Sequence, residues 1–174
     1  MLARTDTLTG LGNRLALEEL LEEETQKPGA EDNLVVIFLD VDGFKLVNDT
    51  QGHSVGDDLL VAMAGKFKDA PHRTGEGVFR LGGDEFVFVI NTKDSGNSRR
   101  TPKEKDEHID AFLNRMKQIV IGSGKELANP VEIDGSFGAA SYHEGESIVQ
   151  IIDRADEDMY KAKEKQKAIK VVQE

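Results

Sequence analysis

Leu34-Val35-Val36-Ile37-Phe38-Leu39 is an unbroken run of β-favouring apolar residues that leads directly into Asp40-Val41-Asp42. A run with no polar face is a strand covered on both sides, so the chain must build layers against it. Carboxylates at the end of such a strand cost desolvation unless they are paired or bind a cation. Strand alternation sends Asp40 and Asp42 to one side and Val41 to the other. A single acid ending a strand is commonly an ordinary cap or turn, so this segment alone assigns no function.

The remaining patterns supply the layers. Asn13 to about Gln26 reads as a helix with Asn13 as N-cap and Leu17, Leu20 and Leu21 on one face. Its Glu18, Glu19, Glu22, Glu23 and Glu24 read as solvated charge, and Lys27-Pro28-Gly29 ends it. Phe44 to Asn48 starts a short helix broken at Gly52, and Ser54 with Asp57 reads as a cap for the next, apolar at Leu60, Met63, Ala64 and Phe67. Gly77–Leu81 and Glu85–Ile90 flank Gly82-Gly83-Asp84 as a hairpin. Asn91–Glu107 has no large apolar residue and is expected to be a surface loop. A helical stripe from Ile109 to Val120 follows, then one or two strands within Val131–Tyr142, and a last amphipathic helix from Ile148 to Ala162. This order describes a mixed α/β domain with helices packed on a sheet.

Composition narrows the function. A length of 174 residues suits one domain, expected here over 1–174 with a polar insertion at about 91–107. No run approaches the ~18 apolar residues of a membrane span, and Met1-Leu2-Ala3-Arg4 does not read as the start of a signal peptide. With no cysteine, disulfides and cysteine-bound zinc are excluded, which fits a reducing cytoplasm. The net charge of −11 disfavours nonspecific nucleic-acid binding, so an anionic substrate needs local lysines or metal ions.

The second unusual segment is Arg80-Leu81-Gly82-Gly83-Asp84-Glu85-Phe86. Its glycines allow either a tight turn or close approach of a ligand. Adjacent Asp84 and Glu85 repel each other, and a divalent cation that bridges to phosphates would relieve them. A strand-end acid and a hairpin acid meet at one metal site if their strands are neighbours, the layout of two-metal nucleotidyl transfer.

At this point the chain resembles the GGDEF diguanylate cyclases. The likeness runs through Asp6-x-Leu8-Thr9-Gly10-Leu11-x-Asn13-Arg14, Asp40-x-Asp42-x-Phe44-Lys45-x-x-Asn48-Asp49 and Gly52-His53-x-x-Gly56-Asp57. It continues through Arg80-x-Gly82-Gly83-Asp84-Glu85-Phe86, Ser136-Phe137-Gly138, and Ala155-Asp156 with Tyr160-x-Ala162-Lys163, covering almost the whole chain in the family's order. The resemblance implies a central, mostly antiparallel sheet flanked by helices, similar to nucleotidyl cyclases and polymerase palm domains. It implies condensation of two GTP into cyclic di-GMP and pyrophosphate by a homodimer, with Mg2+ or Mn2+ held by Asp40, Asp84 and the Val41 carbonyl.

Glu85 would activate the 3′-hydroxyl, Gly82 and Gly83 would leave room for nucleotide, and Asn48 and Asp57 would read guanine. Lys45 and Lys163 would contact phosphate. His53 matches a substrate position, and a helix-end histidine holding its loop reads equally well. Lys161 and Lys165 belong to a solvated helix end. A product-inhibition site would use Arg73 and Glu76, the latter one methylene longer than the family's aspartate. Lys167 stands where the family has arginine, which keeps charge and loses bidentate geometry. The resemblance further implies a C-terminal piece of a longer regulatory protein, with the domain itself in the cytoplasm and making no membrane contact, even where the parent is membrane-tethered.

Asp40-Val41-Asp42-Gly43 resembles the opening motif of haloacid-dehalogenase-like phosphatases, but Phe88 stands where their later aspartate belongs. Gly124-Lys125 lacks the remainder of a P-loop. The remaining alternative is a silent GGDEF domain that only binds GTP or cyclic di-GMP.

Overall fold

The computed structural model describes residues 3–70, 75–93 and 100–172. Its elements are α1 (Arg14–Thr25), α2 (Ala30–Asn33), β1 (Leu34–Asp42), α3 (Phe44–Gln51) and α4 (His53–Phe67). They continue with β2 (Gly77–Gly82), β3 (Glu85–Asn91), α5 (Pro102–Lys125), β4 (Asp134–Ser141) and α6 (Ile148–Val172). The sheet order is β2-β3-β1-β4 with every pairing antiparallel, as the family resemblance implied. No described helix is long and apolar enough to cross a membrane.

The apolar run of β1 lies inside the sheet because both of its faces are covered. Val35, Ile37, Leu39 and Val41 join α4 and α5 in one core through Leu60, Met63, Phe67, Phe112 and Met116. Val36 and Phe38 join α1 and α6 in the other through Leu17, Leu21, Ile151, Ala155 and Met159. By the same alternation, Asp40 and Asp42 emerge on the α6 side. Phe67 meets Phe86 and Phe88 edge-on at 5.3 and 5.2 Å, which ties α4 to the strand that starts at the hairpin.

The layer between β4 and α6 is the tightest. A Cβ on Gly138 would fall 2.0 Å from the Met159 nitrogen and 2.3 Å from the Ala155 carbonyl. Only glycine lets the helix backbone rest on the strand there, and α6 then carries Lys163 over the end of β1.

Several local expectations change. Asn13 caps α1 by accepting from the Ala16 N–H at 3.2 Å, as expected. Glu24 is 5% exposed instead of solvated, and Lys27 holds its carboxylate at 2.5 Å. Ser54 is not a cap, because α4 begins one residue earlier at His53 behind Gly52. Asn91–Glu107 is not one loop. Thr101 and Glu104 form a capping box with Pro102 at the first turn, so α5 takes the segment's charged second half. Residues 94–99 lie outside the described residues. Of the region Val131–Tyr142, Asp134–Ser141 forms one strand.

Gly138→Ala places a methyl against backbone that has no rotamer to escape into. It should cost about 3 kcal/mol and lower Tm by about 10 °C in thermal melts followed by circular dichroism.

Candidate active site

The end of β1 and the hairpin between β2 and β3 meet at one place. Asp40 lies opposite Glu85 in the β1–β3 register, so the two side chains share the α6 face. The Val41 N–H donates to the Asp84 carbonyl at 3.3 Å, which sets the turn against the strand's exit. Gly82 and Gly83 have φ of 149° and 52°, and the register shifts between Arg80 and Gly82. Space beyond both glycines is open, with no atom of the described residues within 4 Å of where a Cβ would stand.

Arg80 braces this turn from behind. Its Nε and Nη2 donate to the Gly83 carbonyl at 3.0 and 2.8 Å, and its Nη1 donates to Asp6 Oδ1 at 2.8 Å. Thr9 also donates to Asp6 through its amide and hydroxyl. Burial opposes ionisation of Asp6, yet the bonds from Thr9 and Arg80 outweigh it and hold its pKa below the ordinary value. The opening motif thus supports the hairpin from 74 residues away in sequence.

Facing the acids, Lys163 donates to Asp40 and lies 3.5 Å from Asp42. Burial alone would lower the Lys163 ammonium, but Asp40 and Asp42 prevail and raise it. The Ser136 hydroxyl, fully buried on β4, donates to Asp42 Oδ2 at 2.5 Å. Burial pushes Asp84 above the ordinary carboxylate value, and the charge of Asp40 adds to it. Burial also raises Glu85, with Asp156, Asp40 and Asp84 contributing repulsion. Asp156 itself is raised by burial and by its acidic neighbours Asp153 and Asp40.

Among the described residues no group of three or more acids or histidines could cage an ion by side chains alone. Two hard carboxylates beside backbone oxygen, with room for water and phosphate, are what magnesium ordinarily takes. The repulsion between Asp40 and Asp84, and the ammonium already drawn to Asp40, mark the place as one that favours a cation. The residues present fit such an ion.

The other expected residues are distributed around this centre. Lys45 and Asn48 lie on α3, which starts immediately after Asp42 and Gly43 with no side-chain cap on its first amides. Asn48 packs on Gly56 of α4, next to exposed Asp57, and His53 opens that helix at its exposed end. Lys167 lies one turn beyond Lys163, 62% exposed, and pairs with Glu164 at 2.9 Å. Glu76 accepts from the Asn91 N–H at 3.0 Å and lines a cavity of about 380 Å³ with His108, Phe112 and Arg115. Arg73 lies outside the described residues. Arg115, which donates to the Ala70 carbonyl at 2.9 Å, escaped sequence reasoning because its helix was read only by its apolar stripe. Asp6, Arg80 and Ser136 were visible as motif members, but their bonds were not.

The sequence matches the family model described as diguanylate cyclase, GGDEF domain, over residues 3–168. The chain belongs to the GGDEF family. It is 36% identical over 165 residues to the bifunctional diguanylate cyclase/cyclic di-GMP phosphodiesterase MucR of Pseudomonas aeruginosa, covering 94% of this chain and 22% of MucR. It is 33% identical to the diguanylate cyclase DosC of Escherichia coli K12, covering 91% of this chain and 32% of DosC. The chain therefore spans a third or less of these relatives. Among solved structures, a sensory box/GGDEF family protein of Caulobacter crescentus superposes with a TM-score of 0.76 at 30% identity, covering 94% of this chain and 99% of that one. The coiled coil and GGDEF domain of DgcB from the same organism, solved with c-di-GMP, gives 0.73 at 25% identity, covering 92% and 81%.

The GGDEF hairpin stores repulsion that shows as pH-dependent stability. Because folding raises the pKa of Asp84, it favours the fold below the ordinary carboxylate range and works against it as pH rises through the folded value. In EDTA, Asp84→Asn should raise Tm by a few degrees at neutral pH. The gain should vanish in acid, where Asp84 is protonated both folded and unfolded; a Tm unchanged across pH would contradict this.

Proposed function

We propose that this GGDEF domain condenses two GTP molecules into cyclic di-GMP and two pyrophosphates, working as a pair of facing domains. The observation that supports it most directly is the convergence of Asp40, Asp84 and Glu85 at an intact Gly82-Gly83 turn. Asp40, Asp84 and the Val41 carbonyl would hold magnesium or manganese. Such an ion, when bound, neutralises triphosphate charge and eases departure of pyrophosphate.

The protein's own groups do the rest. Asn48 and Asp57 address guanine, with Asp57 accepting from its N1–H and amino group. His53 stands at the same edge of the base site. The open turn at Gly82 and Gly83 admits the nucleotide, and Lys45, Lys163 and Lys167 face its phosphates. Glu85 takes the proton from a 3′-hydroxyl as that oxygen attacks the α-phosphorus of the opposing GTP. A bond from oxygen to α-phosphorus forms, the bond to the bridging oxygen breaks, and pyrophosphate leaves. The raised pKa of Glu85 suits it to accept that proton. A second transfer in the opposite sense closes the ring. Each domain holds one GTP, so turnover requires two.

Purified protein with magnesium and GTP should release cyclic di-GMP at a rate that climbs faster than linearly with protein concentration. Asp84→Ala should abolish product, and Glu85→Gln should lower kcat about 100-fold or more. GTP binding without product at any concentration would leave the domain a silent binder instead.

The product is proposed to bind beside Glu76, using Arg73 and the cavity that Arg115 lines. Arginine pairs well with guanine edges and phosphates. Arg73→Ala and Arg115→Ala should each weaken cyclic di-GMP binding about tenfold in calorimetric titration; affinities equal to wild type would remove the site.

A further inference from the structure

Asn48 and Gly56 belong to different helices, yet the side chain of one rests on the backbone of the other. A Cβ built on Gly56 would fall 1.9 Å from Asn48 Oδ1 and 3.0 Å from its Cγ, with Phe44 Cε2 at 3.3 Å. Gly56 is buried inside α4, and it is not among the glycines with positive φ, so the backbone there does not call for glycine. Alanine is the better helix former at such a position. The contact with Asn48 is the feature that excludes it.

Asn48 is half-buried, and its carboxamide makes no hydrogen bond to any described residue. Packing between Phe44 and Gly56 is what orients it: Oδ1 rests against the backbone of Gly56, which turns the two N–H donors to a ligand. The next residue after Gly56 is Asp57, exposed on the same turn of α4. A bare backbone at 56 therefore lets an amide from α3 rest against the turn of α4 that carries Asp57.

We infer that Gly56 is a positioning residue for nucleobase selection, acting through Asn48. The inference rests on the assignment of Asn48 and Asp57 to guanine. Gly138 provides the contrast. There an added methyl meets fixed backbone, whereas at Gly56 it meets the end of a short side chain that can rotate away. The fold survives the substitution at 56, and the amide leaves its post. Guanine then loses a partner that its edge required, while adenine, whose edge offers a different order of donors and acceptors, loses little.

The test uses α,β-methylene GTP, which cannot release pyrophosphate, and the matching ATP analogue, titrated in magnesium against four proteins: wild type, Asn48→Ala, Gly56→Ala and the double variant. Gly56→Ala should melt within a few degrees of wild type yet bind the guanine analogue about tenfold more weakly, the loss of one or two hydrogen bonds to the base. Its affinity for the adenine analogue should stay the same. The double variant should bind no worse than Asn48→Ala, because the methyl then displaces nothing. Wild-type guanine affinity in Gly56→Ala, or penalties that multiply in the double variant, would overturn the inference while leaving Asn48 as a base contact. Wild-type affinity in Asn48→Ala would overturn the base assignment and the inference together.

Discussion

The antiparallel pairing of β1 with β3 is the constraint from which the site follows. Opposed residues in such a pair share a face, so a register that sets Val36 against Val89 and Phe38 against Val87 also sets Asp40 against Glu85. A slip by one residue would turn the acids toward the α4 and α5 core, where Leu39 and Val41 now lie. The apolar side chains on both faces oppose that slip, and the bond from the Val41 N–H to the Asp84 carbonyl anchors the end of the ladder.

Around this pairing the chain spends polar groups on holding the hairpin rather than on closing it. Arg80 grips the Gly83 carbonyl and is gripped in turn by Asp6, which sits in the opening motif. Among the described residues, no atom lies within 4 Å of where a Cβ on Gly82 or Gly83 would stand. Burial and neighbouring carboxylates keep Asp84 and Glu85 raised, with Lys163 partly offsetting the first and Arg14 the second. Support behind the turn and an excess of negative charge in front are what a site for a metal–phosphate ligand needs.

The glycines divide into kinds by what they permit. Gly82 and Gly83 are needed for their backbone angles, Gly138 for the contact of strand and helix backbones, and Gly56 for a neighbouring side chain. A single residue type thus serves turn geometry, layer packing and the proposed selection of the base. Only the surroundings of each distinguish these roles.

Local periodicity was enough to determine the central strand, the hairpin, the order of the long helices and the face on which Asp40 and Asp42 emerge, because alternation and helical spacing are properties of neighbouring residues. The motif residues also carried the family. The apolar pattern did not reveal that Glu24 is buried, that Pro102–Glu107 belongs to a helix, or that Asp6 reaches Arg80. The first and last of these depend on partners distant in the chain, and the helix start depended on a capping box masked by its charge. Likewise Arg115 became notable only once α5 was laid beside Glu76, and Gly56 only once α4 met α3. Contacts between segments are decided when the layers pack, since burial and distance belong to the assembled core and not to any stretch of residues within it.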